Sequence, residues 1–277
     1  MFADLHIHSW FSDGTLSPIE IIQKAESQNV TLISICDHNL LDSYCEIESL
    51  CENNNITVIL GVEITSIMDD IEYHILAYGF DKDNKAINDL LDYNRGINFE
   101  MGKLLIEKMS NYYPNISLND FLSFKRNRKN GGWESIDYLR NKGFVTSWES
   151  FLEIANKYGS APEKNFLSPM EVIKIIHNAG GYAVLAHLCH YEKSDFENYK
   201  TKAIQFIKMG IDGFECYYPA HTIELTDMLV KLCHMHDLLI TAGSDDHGRF
   251  IGAPRDEYFM GAVKIRTEQL SLKNLVN

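Results

Sequence analysis

Hydrophobic and polar positions along this chain follow a repeating unit: a short apolar run ends at or near a His, Asp or Glu, and a stretch with helical spacing follows. Phe2 to His8 predicts the first strand, and side-chain alternation puts His6 and His8, two positions apart, on one face. Ser17-Pro18-Ile19-Glu20 is a helix start, with a capping residue, proline at the first helical position and an early acid. Leu32 to Cys36 predicts a second strand running into Asp37-His38, and a helix follows across Ser43 to Asn53. Thr57 to Gly61 predicts a third, ending near Glu63. Tyr73 to Phe80 predicts a fourth, and because His74 stands at its beginning it is expected to run against the others.

From about Asn84 to Pro169 this rhythm stops. The segment is mostly helical in pattern and carries the basic run Lys125-Arg126-Asn127-Arg128-Lys129, then Gly131-Gly132. It predicts an inserted helical subdomain, residues 84–169, between two parts of one barrel, residues 1–83 and 170–277. The rhythm resumes with a helix from Ser168 to Asn178 and the strand Tyr182 to Ala186, ending in His187. A helix around Tyr199 to Met209, the strand Gly213 to Tyr217 and a helix from Thr222 to His236 come next. The last strand, Leu238 to Gly243, runs into Ser244-Asp245-Asp246-His247-Gly248. Seven strands alternating with helices predict an α/β chain with a mostly parallel barrel and its site at the strands' carboxyl ends.

Composition narrows the partners. At 277 residues and 45% hydrophobic content the chain can bury a large core. Its net charge of −14 disfavours a long nucleic-acid groove or an anionic membrane as partner, since both need positive potential. A small phosphorylated substrate stays open, because metal ions supply positive charge locally. Cys36, Cys45, Cys51, Cys189, Cys216 and Cys233 include no CxxC pair, and are expected to be free thiols of a reducing cytoplasm. Asp4 and two histidines occupy the place of a secretory leader's apolar region, and no apolar run approaches the ~20 residues of a membrane span.

His6, His8, Asp13, His38, Glu63, His74, His187, Asp245 and His247 gather at the expected strand ends. Six imidazoles and three carboxylates exceed the needs of one tetrahedral ion, and mixed N/O donors suit zinc, manganese or iron. Three divalent ions set against three carboxylates and a bridging hydroxide leave a site of about +2, which favours an anionic ester such as a phosphate. Hydrolysis of a C–N bond by the same kind of site, and a non-catalytic binding module on the same scaffold, are the alternatives from other classes.

The segments DLHIHSWFSDGTLSP, ICDHN, GVEITS, EYHILAYGF, AVLAH, GFECYYPAHT and GSDDHG resemble, in order, the successive motifs of the PHP (polymerase and histidinol phosphatase) family of phosphoesterases. The closest resemblance is to the stand-alone branch with a helical insertion between the fourth and fifth strands. That branch includes nucleoside 3′,5′-bisphosphate phosphatases and 5′–3′ exoribonucleases acting on short oligonucleotides. The resemblance implies a distorted (β/α)7 TIM-like barrel with a trinuclear metal centre. One ion would be held by His6, His8, Glu63 and Asp245, a second by Glu63, His74 and His187, with Glu63 as the bridge, and a third by Asp13, His38 and His247. Asp37 is expected to orient a ligand, His221 and Arg249 are candidates for phosphate contact, and His177, His234 and His236 are expected to be ordinary helix residues. His190 is left open. The expected reaction is attack of a metal-bridging hydroxide on a small phosphomonoester, with Glu63, Asp13 and His187 at the chemistry.

The chain departs from the branch at Asn39, where an Asp is usual, at His187-Leu188 in place of His-Pro, and at Gly131-Gly132-Trp133-Glu134-Ser135 in place of a Gly-Arg-Pro-His-like segment. The last change removes an arginine that relatives use on substrate. Arg126, Arg128, Lys164, Arg249 and Arg255 are the candidates to replace it, and Trp133 is a candidate to stack on a flat group.

Overall fold

A computed structural model describes residues 1–47, 55–159, 165–191, 196–249 and 258–276. The chain alternates as the apolar pattern predicts: β1 (Phe2–Ile7), α1 (Pro18–Ser27), β2 (Val30–Ile35), α2 (Asp42–Ile47), β3 (Thr57–Val58), β4 (Gly61–Met68) and β5 (Ile71–Tyr78). Four helices follow with no strand among the described residues: α3 (Lys85–Ser110), α4 (Leu118–Ser123), α5 (Glu134–Asn141) and α6 (Trp148–Tyr158). Then come α7 (Pro169–Asn178), β6 (Tyr182–Leu185), α8 (Phe196–Met209), β7 (Gly213–Tyr217), α9 (Ile223–His236) and β8 (Leu239–Ala242). The Ser17 cap is as read: its hydroxyl accepts from Glu20 N–H while the Glu20 carboxylate accepts from Ser17 N–H.

The strands form two sheets, β1-β2-β3, all parallel, and β4-β5-β6-β7-β8, in which β5 runs antiparallel to both its neighbours. The reversed direction expected from His74 holds, although β5 starts at Ile71 and His74 is its fourth residue. Isolated parallel bridges join the sheets at two places, Ile7 of β1 with Asp246 after β8, and His38 after β2 with Glu63 of β4. The third predicted strand needs correcting. It splits into the two-residue β3 and a new β4, so Glu63 is the third residue of a strand and not its end. β4 continues to Met68 because Asp69 and Asp70, both left-handed, make a two-residue hairpin that pairs it with β5. The described strands number eight in two sheets, and the pairings are mostly parallel as expected, with β5 the antiparallel strand. Residues 48–54, the end of the second predicted helix with Cys51, lie outside the described residues. The five described cysteines are free, Cys45 exposed and Cys189 partly so.

Period-two alternation sorts each strand between two cores. Leu76 and Tyr78 of β5, Val184 of β6 and Leu239 of β8 pack inward with Ala3, Leu5 and Leu32. Val62, Ile64, Ile75, Ala77, Phe214 and Ile240 pack outward against α7 and α9. Along the inward rows Glu63, His74 and Glu215 come toward the other end, so the interior is apolar at one end and ionisable at the other. Helices α3 to α6 share a further core around Ile106, Met109, Ile136 and Leu139.

Candidate metal centre

β1 and the loop after it bring His6, His8 and Asp13 to the ionisable end. Gly14 lets that loop close, since a Cβ there would stand 2.5 Å from the His8 carbonyl oxygen. The end of β8 approaches so tightly that a Cβ on Gly243 would lie 2.3 Å from His6 Cβ. His187 and Asp245, each just past its strand, have positive φ (24° and 56°). Backbone strain of this kind concentrates at functional sites.

Glu63 is the hub. Its Oε1 lies 2.9 Å from His74 Nδ1 and 3.0 Å from His187 Nε2. Its Oε2 lies 3.1, 3.2 and 3.3 Å from His38 Nδ1, His8 Nε2 and His6 Nε2, and is buried without a hydrogen bond. Asp245 Oδ1 adds to the second set, 3.2 Å from His8 Nε2. A third set forms around Asp13, whose Oδ2 is 3.2 Å from His247 Nε2 and 3.7 Å from His38 Nε2, and whose Oδ1 is 3.5 Å from His8 Nδ1.

The outer partners decide what the inner nitrogens can do. His6 donates Nδ1–H to Glu215 Oε1 at 3.0 Å, His74 donates Nε2–H to Glu72 Oε1 at 2.8 Å, and His247 donates Nδ1–H to the Asp245 carbonyl at 2.8 Å. Each ring then turns its other nitrogen toward a carboxylate inside the cluster. Two acceptors facing one another need a cation between them, a proton or a metal ion, and a carboxylate behind a ligating imidazole is the usual support for a metal. The donor set therefore fits divalent ions.

The charges agree. Burial opposes protonation of His8, but hydrogen bonds to Asp245 and Glu63 and the charge of Asp13 outweigh it and push the ring up to about 10. At His74 burial is outweighed by Glu63 and Glu72, again to about 10. Burial prevails at His38 and pushes it down to about 4. Burial would raise the carboxyls of Glu63, Asp13 and Asp245, yet the surrounding imidazoles hold all three below the usual range.

All nine residues singled out in the sequence thus meet at one place, and others join them. Glu215 also accepts from His187 N–H at 2.8 Å. Tyr218 donates to Asp245 Oδ2 and accepts from His190 Nε2, both at 3.1 Å. Glu215 was visible as an acid inside an apolar strand, and Glu72 as an acid two positions before His74 on one strand. Asp37 accepts from Ser9 N–H, Ser9 Oγ and Ser12 Oγ, so it ties down the loop after β1 rather than a ligand directly. Asn39 bonds Thr65 through both ends of its amide and accepts from Asn94 of α3.

A cavity of about 620 Å³ opens over the cluster, lined by Trp133 and His190 among others. The described cationic candidates do not line it. Arg126 is half-buried, with its guanidinium donated to the carbonyls of Trp10, Phe11, Ser12 and Gly132. Arg128 lies over the Phe11 ring at 4.5 Å. Arg249 is exposed, and His221 gives its Nδ1–H to the Cys216 carbonyl. Lys164 and Arg255 lie outside the described residues. Of the helix histidines, His177 pairs with Asp212 at 2.7 Å.

A mixed α/β fold with imidazoles and carboxylates packed at its strand ends defines a metal-dependent hydrolase. The chain belongs to the PHP family: the PHP domain model matches residues 4–252. It is 28% identical over 250 residues to a 5′-3′ exoribonuclease of Haemophilus influenzae, covering 88% of this chain and 89% of that one. It is 24% identical to a 3′,5′-nucleoside bisphosphate phosphatase of Chromobacterium violaceum, covering 91% of each. A solved Bifidobacterium adolescentis chain, assigned by inference as a metal-dependent phosphoesterase, superposes with a TM-score of 0.75 at 27% identity over 90% of this chain and 88% of that one. No helix among the described residues is long and apolar enough to cross a membrane.

Proposed function

We propose that this chain hydrolyses a small phosphomonoester at a centre of two to three divalent ions, Mn, Fe or Zn. The observation that carries this reading is Glu63, whose two oxygens face separate imidazole sets, His74 with His187 and His6 with His8 and His38. His6, His8, Glu63 and Asp245 would hold one ion, Glu63, His74 and His187 a second, and Asp13, His38 and His247 a third. When bound, such ions supply a hydroxide nucleophile at neutral pH and neutralise charge on the phosphoryl oxygens.

The protein's own part is to hold these donors in place. Glu215 and Glu72 keep the protons of His6 and His74 on the outward nitrogens. The low pKa of Asp13 keeps it a carboxylate, suited to ligation and not to donating a proton. Residues 84–169 serve as a cap over a distorted (β/α)7 barrel formed by 1–83 and 170–277, a reading supported by the two bridges that join the sheets. Cleavage of nucleoside bisphosphates or short RNA is a second reading, favoured by the names of the two relatives. Against it stands Arg126, whose donors are already taken by backbone carbonyls.

Metal-reconstituted protein assayed on simple phosphomonoesters, phosphodiesters and amides tests the proposal. Phosphate release from monoesters that stops on adding chelator is the expected result. Turnover of amides alone, or of no ester at all, would overturn it.

A further inference from the structure

The cavity has two unlike ends. Its floor is the ionisable cluster, but its walls come from residues 84–169 and are mostly apolar: Met101 and Leu105 of α3, Trp133 before α5, and Trp148 and Phe151 of α6, with Asn98 and Ser135 as neutral polar members. Met101 and Leu105 are four apart and so lie on one helix face. Trp148 and Phe151 stand with ring centroids 5.5 Å apart, and Trp133 reaches over the floor with its ring 5.5 Å from His38. The described lining residues include no Lys or Arg, and the charged residue beyond the cluster is Glu72, which would repel a second anionic group. Arg126 and Arg128 of the basic run are turned to backbone carbonyls and to Phe11.

We infer that the substrate is a monoester with a single phosphate whose alcohol carries a flat apolar group, taken between the aromatic walls while the phosphate meets the floor. This rests on the phosphomonoesterase reading above. In the reaction one water is consumed, the phosphorus–oxygen bond to the alcohol breaks, a new phosphorus–oxygen bond forms from water, and the alcohol leaves with a proton. A volume of about 620 Å³ suits a molecule of this size. A bis-phosphorylated nucleoside would set its second phosphate against Leu105, Phe151 or Glu72, where the described wall offers the neutral Asn98 and Ser135 but no Lys or Arg to offset desolvation.

Propyl phosphate and 3-phenylpropyl phosphate share the same leaving-group chemistry and differ only in the ring, so they isolate the walls. On metal-loaded protein the phenyl ester is expected to show kcat/KM higher by about 30-fold, the effect of burying one ring. A nucleoside 3′,5′-bisphosphate is expected to fall below both. The non-hydrolysable phosphonate of the phenylpropyl group should quench tryptophan fluorescence at lower concentration than propylphosphonate does, and Phe151→Ala should shrink both ratios. If the Phe151 variant unfolds, the wild-type ratios still decide. Equal kcat/KM for the two esters, or faster turnover of the bisphosphate, overturns this inference and leaves the phosphomonoesterase reading standing. No turnover of any phosphate ester overturns both.

Discussion

Glu215 Oε1 accepts the Nδ1–H of His6 at 3.0 Å, deep between the sheets where both side chains are fully buried. This bond fixes the ring so that Nε2 faces Glu63 and Asp245. The other oxygen of Glu215 accepts from the backbone of His187, so one carboxylate orients ligands on two strands.

Glu215→Gln leaves only one oxygen for those two donors. Metal affinity is expected to fall by about 10- to 100-fold, the usual effect of losing such a support. Competition against a chromogenic chelator measures it, and unchanged affinity would show that Glu215 does not orient the site.

Glu63→Gln tests the bridge itself. An amide cannot serve two cations as an anion, so metal content and turnover should both fall far more than for a substitution in residues 84–169. A variant with full metal content and wild-type turnover would show that Glu63 does not bridge.

Metal loading should release protons. His8 and His74 have pKa values of about 10 in the metal-free chain and so carry protons at neutral pH. An ion needs their lone pairs, so binding displaces the protons, and affinity should climb as pH rises toward 10. Calorimetric titration in buffers of different ionisation enthalpy counts the protons. Finding none released, with affinity flat in pH, would mean these rings are not ligands.

Arg126 anchors the helical segment to the loop that carries Asp13, together with the bond from Gly132 N–H to the Asp13 carbonyl. Arg126→Ala should therefore cost about 2–4 kcal/mol of stability, because several carbonyls lose a charged donor at once. Metal retention should weaken with it. Denaturant unfolding of the variant checks this. A raised KM with stability unchanged would instead make Arg126 a substrate contact.

The clustered positions were legible because most of them end or open an apolar run in the sequence, Asp13 on its loop being the exception. The reversed direction of β5 was legible because His74 precedes the apolar run Ile75 to Phe80 instead of ending it. The break between β3 and β4 was not, because Thr57 to Ile64 reads as one apolar stretch and only the pairing of β4 with β5 divides it. Nor was the anchoring by Arg126, because three of its four carbonyl acceptors, Trp10, Phe11 and Ser12, lie more than a hundred positions away, which no local pattern records. Asn39 looked like a lost acid. In the structure its amide both donates and accepts between β4 and α3.

The central claim is that this cluster of imidazoles and carboxylates exists to hold metal. Elemental analysis of protein purified without chelator tests it most directly. Two to three equivalents of Mn, Fe or Zn per chain is the predicted result, following the proposed sets His6-His8-Glu63-Asp245, Glu63-His74-His187 and Asp13-His38-His247. Less than one equivalent, with no uptake on reconstitution, would contradict it.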